Sequence, residues 1–557
     1  MAAAIALFVI VIFSLEAYRA KKREKTFIRD LYENYLKLSD KKYSAERFEK
    51  LGSYYLRHKR DGQVDDITWN DLGMDEIFKR MNYTLSASGE EYLYYTLRTL
   101  MQDNDSAEHF ERIVTFFGEH PDERVRFQFR MNKLGYMGKY SLYDYIDNLD
   151  YLGVRSNRKH ILFDLLFLPL IALLWINFPV GILGIVLLMI YNISSYFGEK
   201  NEIDPYVTSF AYILRLMGVC DELEKMKLEA CGEELEQVRI HKKNLEAVRR
   251  NSFWVMSASR GGSSPGDILS MLMDYVRMIF HVDLIKFNRM LNYLKGHIND
   301  VDALIGVLGY LETAVSVWIF RQSLGNGWCL PEFTTAEGVE LEEGYHPLLS
   351  APVKNSISAG RGVLLTGSNA SGKSTFLKTV AVNAVLAQSI HTCTADCYRA
   401  PFFHVYSSMA LRDDLCGGES YYIVEIKALK RILDAAASGE RPVLCFVDEV
   451  LRGTNTVERI AASTQILDSL GGAGILCFAA THDIELTGLL ENKFDNYHFE
   501  EEIRDGDICF NYRLQTGKAT TRNAIRLLEL MGYDRTIIDR ATRQAEHFLT
   551  AGEWKLT

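Results

Sequence analysis

The stretch Gly362-Val363-Leu364-Leu365-Thr366-Gly367-Ser368-Asn369-Ala370-Ser371-Gly372-Lys373-Ser374-Thr375 decides the reading of this chain. Its first five residues form a short apolar run that predicts a buried strand, and helix-forming residues 376–386 follow its end. Between them lies G-x-x-x-x-G-K-[ST], in the strand–loop–helix setting that motif requires. Glycine lets backbone N–H groups close around phosphate oxygens, and the helix N-terminus adds the positive end of its dipole. Gly367, Ser368, Asn369, Ala370, Ser371, Gly372, Lys373, Ser374 and Thr375 are therefore the candidate nucleotide-binding loop. Lys373 is expected to reach the β- and γ-phosphates of ATP, and the Ser374 hydroxyl to coordinate Mg²⁺.

Two more strands complete the pattern. Val443-Leu444-Cys445-Phe446-Val447 is apolar and ends in Asp448-Glu449. Asp448 is the candidate second holder of the metal, and Glu449 the candidate base that orients or deprotonates the attacking water. Gly474 to Thr481 reads as a third strand and delivers His482-Asp483, with His482 a candidate donor to the γ-phosphate. The order of phosphate loop, Asp-Glu and Thr-His resembles that of ATPases with the ABC-type core.

Within that class the interval between the two Walker motifs discriminates. It is only about 70 residues long, too short at ~1.5 Å per residue for an inserted coiled-coil arm. It also lacks the transporter signature and holds Gly417-Gly418-Glu419-Ser420-Tyr421-Tyr422-Ile423-Val424-Glu425-Ile426 instead. This segment resembles the MutS signature, in which Gly-x-Ser-x-Phe leads into an apolar-Glu-apolar helix. Tyr345-His346-Pro347 looks like that family's Arg-His-Pro stretch, and Asp448-Glu449-Val450-Leu451-Arg452-Gly453-Thr454-Asn455-Thr456 like its Asp-Glu-x-x-Arg-Gly-Thr-x-Thr. Ala480 to Leu486 matches Ala-Thr-His-x-x-Glu-Leu. The resemblance is strong over 329–545 and fainter over 75–100 and 301–320, which look like pieces of the family's helical core. It implies a homodimer with composite ATP sites, Ser420 of one subunit acting on the γ-phosphate held by the other. The Phe-Tyr-Glu motif of the family's mismatch-reading domain is not found, so the expectation is a variant lacking that domain.

The remaining sequence reads as helix and membrane. Ala2 to Leu15 is apolar, with Arg19, Lys21, Lys22, Arg23 and Lys25 immediately behind it. That polarity is the reverse of a cleaved signal peptide and predicts an anchor with its C-terminal end in the cytoplasm. A second apolar block, Ile161 to Ile193, is broken by Asn177-Phe178-Pro179 and flanked by Arg155, Arg158, Lys159 and Lys200. It predicts a transmembrane helical hairpin with both ends inside, the alternative being a buried hairpin in a soluble core. Elsewhere before residue 340, apolar residues recur at helical spacing and no catalytic constellation stands out.

The predicted fold class is thus an α/β P-loop ATPase domain, ABC-type and MutS-like, preceded by an all-α core with transmembrane helices. The expected units are an anchor (1–25), a first helical core part (26–150), the hairpin (151–200), a lever-like helical region (201–335) and the ATPase domain with its helical tail (336–557). A net charge of −10 gives no global basic field, so contact with DNA would need a local basic surface. The nine scattered cysteines read as thiols in a reducing compartment. The expected function is a membrane-anchored ATPase with its catalytic end in the cytoplasm, driving a dimeric clamp on DNA. The alternative is an ATP-driven membrane switch on an unidentified protein partner.

Overall fold

The computed structural model describes residues 2–39, 41–137, 141–153, 155–250, 252, 255, 268–368, 371–409, 421–439, 441–451, 454–504, 507–519, 525, 528–529 and 531–554. A helical region is followed along the chain by a mixed α/β region, as the sequence predicts. Internal packing divides the chain into two units, residues 1–59, 81–96 and 111–320, and residues 60–80, 97–110 and 321–557.

The first unit is helical throughout its described residues. Ala2–Glu33 is one helix, and the basic cluster from Arg19 to Lys25 lies on its exposed part. The Ile298–Leu324 helix is held to residues 81–96 by buried polar groups. Ser316 Oγ accepts from Tyr83 N–H at 2.9 Å and donates to Met81 O at 2.7 Å, while Ser86 Oγ donates to Glu312 at 2.5 Å. Deeper in the unit, Glu91 accepts from Ser141 Oγ at 2.8 Å, and burial pushes its carboxyl up to about 8.

Arg158–Ile176 and Phe178–Leu223 pack as an antiparallel pair around Asn177, whose side chain caps the second helix at Val180 N–H. A Cβ on Gly181 would stand 2.9 Å from the Leu174 backbone nitrogen, so this glycine permits close helix approach. The second helix does not stop with the apolar block at 193. It runs 46 residues to Leu223, about 70 Å at ~1.5 Å per residue, because helical periodicity continues through the polar stretch and Pro205 does not break it.

Three helices among the described residues are long and apolar enough to cross a membrane: these two and Ile298–Leu324. They differ in burial. Most of Ile298–Leu324 is packed inside the protein, whereas the hairpin leaves Leu162, Leu168, Ile176, Phe178, Leu183 and Ile190 exposed.

The second unit holds two sheets. The larger has the order β10-β9-β4-β8-β7-β6, where β4 is Gly362–Thr366, β6 His404–Ser408, β7 Val443–Asp448, β8 Ile475–Ala480, β9 Phe494–Arg504 and β10 Asp507–Thr516. All neighbours are parallel except β9 and β10. Near-continuous apolar strands suit such a sheet, covered on both faces. Leu364, Cys445, Val447, Cys477 and Ala479 join one buried cluster with Leu429, Ile432 and Leu467 from the Tyr421–Ser438 and Thr456–Leu470 helices. The smaller sheet has the order β1-β5-β2-β3, with β1 Glu332–Phe333, β2 Val339–Gly344, β3 Asn355–Ala359 and β5 Cys397–Ala400.

The 75–100 stretch, read as part of the helical core, is divided between the units. Residues 60–80 and 97–110 belong with the sheet because they satisfy its open edge. Thr68 Oγ1 accepts from Ser407 N–H at 3.1 Å, and Asp71 Oδ2 accepts from Ser407 Oγ at 2.7 Å and Met409 N–H at 2.9 Å. An edge strand leaves a row of donors and acceptors unpaired, and the Asp66–Asp71 helix covers them. Arg98 ties the two segments together, bonding Asp66 at 2.6 Å with its guanidinium over the Trp69 ring.

Candidate active site

Register places the C-terminal ends of three strands side by side. Leu365 lies opposite Ala480, and Ala480 opposite Asp448, so the chain leaves β4, β7 and β8 at one edge of the sheet. In open α/β sheets this edge is where ligands bind.

The loop after β4 turns on two glycines. Gly367 has φ +141°, and a Cβ there would stand 2.7 Å from Phe499 O; Gly372, at φ +110°, precedes the first residue of the Lys373–Ile390 helix. L-side chains rarely adopt such φ values, so the motif's glycines are demanded by the backbone path. Lys373 is 5% exposed and folds back over its own loop, donating to Gly367 O and Ser368 O at 2.7 Å each. Ser368 Oγ donates to Glu501 Oε2 at 2.5 Å. Ser371 Oγ is buried without a hydrogen-bond partner among the described residues. Ser374 and Thr375 are exposed.

The acids meet this loop from β7. Ser374 Oγ donates to Asp448 Oδ2 at 2.5 Å. Glu449 stands at φ +59° and Leu451 at φ +58°, left-handed conformations that cost a non-glycine residue about 1–3 kcal/mol. Long-range bonds hold them there. Glu449 N–H donates to Ala480 O at 2.9 Å, and Leu451 N–H to the buried Glu425 at 2.5 Å. The turn aims Glu449 Oε1 at His482 Nε2, 2.9 Å away. Behind them Arg459 grips Asp483 with two bonds, 2.9 and 2.6 Å, which hold the guanidinium above its usual range.

Of the residues expected from sequence, the structure brings Lys373, Ser374, Asp448, Glu449 and His482 to one edge, with Gly367, Ser368, Ser371 and Gly372 in the loop and Thr375 in the first turn of the helix. Asn369, Ala370 and Ser420, with Arg452 and Gly453, lie outside the described residues. Sequence reasoning assigned no role to Glu425, Arg459 or Glu501. Glu425 carried a signal, one acid in an otherwise apolar helical turn, but its bond to Leu451 spans 26 positions and has no local signature.

The Tyr345-His346 stretch packs behind the loop's helix. Tyr345 O accepts from Thr394 Oγ1 at 2.6 Å and from Asn383 at 3.4 Å. Burial, and then the Lys378 charge, push His346 down to about 4.

Comparison with known proteins places this geometry. A family profile described as MutS domain V matches residues 363–549. The chain is 32% identical over 235 residues to a DNA mismatch repair protein MutS of Thermus thermophilus, a match covering 41% of this chain and 28% of that protein. It is 33% identical over 242 residues to a DNA mismatch repair protein MutS 1 of Halobacterium salinarum, covering 41% and 27% respectively. The chain thus spans little more than a quarter of the length of these relatives. Residues 363–549, which carry Gly367 to Thr375, Asp448, Glu449 and His482, are thus similar to domain V of the MutS family.

Proposed function

We propose that this chain binds and hydrolyses ATP at the β4, β7 and β8 strand ends. The observation carrying this reading is the meeting of Ser374 with Asp448 at 2.5 Å, beside Glu449 and His482 at 2.9 Å. A hydroxyl and a carboxylate are hard oxygen donors of the kind Mg²⁺ takes together with phosphate and water. Ser374 and Asp448 would hold the ion, and the buried Ser371 Oγ, without a hydrogen-bond partner among the described residues, fits a loop built around a further ligand. Mg²⁺ bound there would offset charge on the phosphates. Lys373 would leave the Gly367 and Ser368 carbonyls for the β- and γ-phosphates. Glu449 would orient the attacking water and take its proton, held in position by its strained backbone and by His482.

The family resemblance extends the proposal. Two chains would form composite sites, Ser420 of one facing the nucleotide of the other, and the ATP cycle would drive a clamp on DNA. The exposed apolar hairpin, with the apolar start of the Ala2–Glu33 helix, supports a membrane-anchored protein whose ATPase end is cytoplasmic. The net charge of −10 favours a second reading, in which the cycle acts on a protein partner and no nucleic acid is bound. Salt-dependent retention of DNA by the purified protein separates the two.

Steady-state hydrolysis and equilibrium nucleotide binding test the site itself. Glu449→Gln is expected to bind ATP and hydrolyse it at least about 100-fold more slowly. Lys373→Ala is expected to weaken binding. Normal turnover by the Glu449 variant would remove that residue from the mechanism.

A further inference from the structure

Residues 329 and 393 face each other in an isolated antiparallel bridge of the second unit. Cys329 N–H donates to Cys393 O at 3.0 Å, and Cys393 N–H to Cys329 O at 2.9 Å. Residues that exchange both bonds have Cα atoms about 5.5 Å apart, inside the ~4.4–6.8 Å that a disulfide spans. Both thiols are free, and Cys393 Sγ donates to Asn383 O at 3.7 Å. The neighbouring Cys393 thiol holds Cys329 below the usual thiol range. Burial first, and then the neighbouring Cys329 thiol, holds Cys393 well above it. Cys329 is partly exposed whereas Cys393 is fully buried, so a reagent meets Cys329 first.

We propose that Cys329 and Cys393 form a reversible disulfide by exchange with a low-molecular-weight disulfide of the glutathione type. The Cys329 thiolate attacks one sulfur of the reagent, whose S–S bond breaks, and the departing thiolate takes up a proton. Cys393 then attacks the Cys329 sulfur and expels the second thiolate, which takes up the proton that Cys393 loses. Two protein thiols are oxidised and one reagent disulfide is reduced to two thiols.

Two other thiol arrangements distinguish this pair. Cys397 belongs to β5, where its register partner is Glu342. Cys445 and Cys477 are register partners on β7 and β8 but are wholly buried, so no reagent reaches either. The Cys329–Cys393 link would also reinforce a place already held by other bonds. Arg321 donates to Thr392 Oγ1 at 2.9 Å and to His391 O at 3.0 Å, gripping the turn just past the Lys373–Ile390 helix. A disulfide at the next residue would make that attachment covalent, at the far end of the helix that begins with Lys373.

The full-length protein in detergent, equilibrated with mixtures of oxidised and reduced glutathione, acid-quenched, alkylated and digested without reductant, gives the test. The expected product is a Cys329–Cys393 linked peptide, reversed by dithiothreitol, with Tm raised by at least about 5 °C on oxidation because a long loop is closed. Cys393→Ala should leave only a glutathione adduct on Cys329, and Cys329→Ser should leave Cys393 unmodified. A Cys329–Cys397 link, a stable Cys329 adduct in the unaltered protein, or an unreacted pair at the oxidising end would each overturn the proposal.

Discussion

Strand β7 and the hairpin at 158–193 are both runs of apolar residues, and they come to opposite ends. Every side chain from Val443 to Val447 is buried, and Phe446 stacks on Phe478 with ring centroids 5.4 Å apart. In the hairpin Trp175 is 91% and Ile176 83% exposed. Composition does not separate them; length and covering do. A run of five or six residues is one strand, and helices on both faces remove it from water. A run of some thirty residues makes two helices that cover one another along one face; near its base Phe167 packs on Phe280 and Asn192 bonds Ile279 O, while the tip around Trp175 and Ile176 stays exposed. Such a surface is stable when another apolar phase takes the place of water.

The sharpest way to break this comparison is topological. On a cysteine-free background, Asn177→Cys, at the tip of the hairpin, is expected to react with an impermeant thiol reagent from outside intact cells. Labelling only after lysis, or full solubility once residues 1–25 are removed, would make the hairpin a core element like β7. Arg155, Arg158 and Lys159 carry the orientation argument. The structure pairs Arg155 with Glu202 and brings Lys159 within 3.8 Å of Glu199. Acidic residues weigh little in that rule, so the expected orientation stands.

A matched pair of truncations sharpens the contrast energetically. Phe446→Ala should lower the opening free energy of β7 by about 3–5 kcal/mol, read from amide exchange along that strand. Trp175→Ala should change the stability of the detergent-solubilised protein by less than about 0.5 kcal/mol. Equal costs at the two sites would mean that the hairpin surface is packed after all.

A smaller effect probes the α/β unit alone. His346 titrates near 4 in the folded protein and near ~6.5 when unfolded. Above ~6.5 both states are neutral and nothing is lost. As pH falls toward 4 only the unfolded state gains the proton, so stability declines by up to about 1.4 kcal/mol per unit across that window. Thermal melts between pH 7 and pH 5 should therefore show a smaller loss for His346→Gln than for the unaltered chain. Parallel pH profiles would place the buried charge cost elsewhere.

These tests fall where sequence and structure contributed unequally. The strand–loop–helix around Gly367 was legible because strand, glycines, lysine and helix are contiguous, and contiguous residues constrain one another's backbone directly. Gly367 and Gly372 occupy φ values that few other residues tolerate, so their identity reports their conformation. The apolar blocks stand out in the sequence for a similar reason, since length and flanking charge are both linear quantities. The capture of residues 60–80 and 97–110 by the open edge of β6 was not legible. Asp71 and Ser407 are 336 positions apart, and nothing near either residue specifies the other.

The sequence by itself determined the loop that begins at Gly367, the acids that end β7, the histidine that ends β8 and the two apolar blocks. Only the tertiary structure decided that Ser374 meets Asp448, that Glu449 is forced into a left-handed turn facing His482, and that Cys329 lies across from Cys393. The physical reason is strand order. Local patterning says that a segment is a strand, but which strands become neighbours depends on how the whole unit best buries its apolar faces, and that is a property of the packed chain.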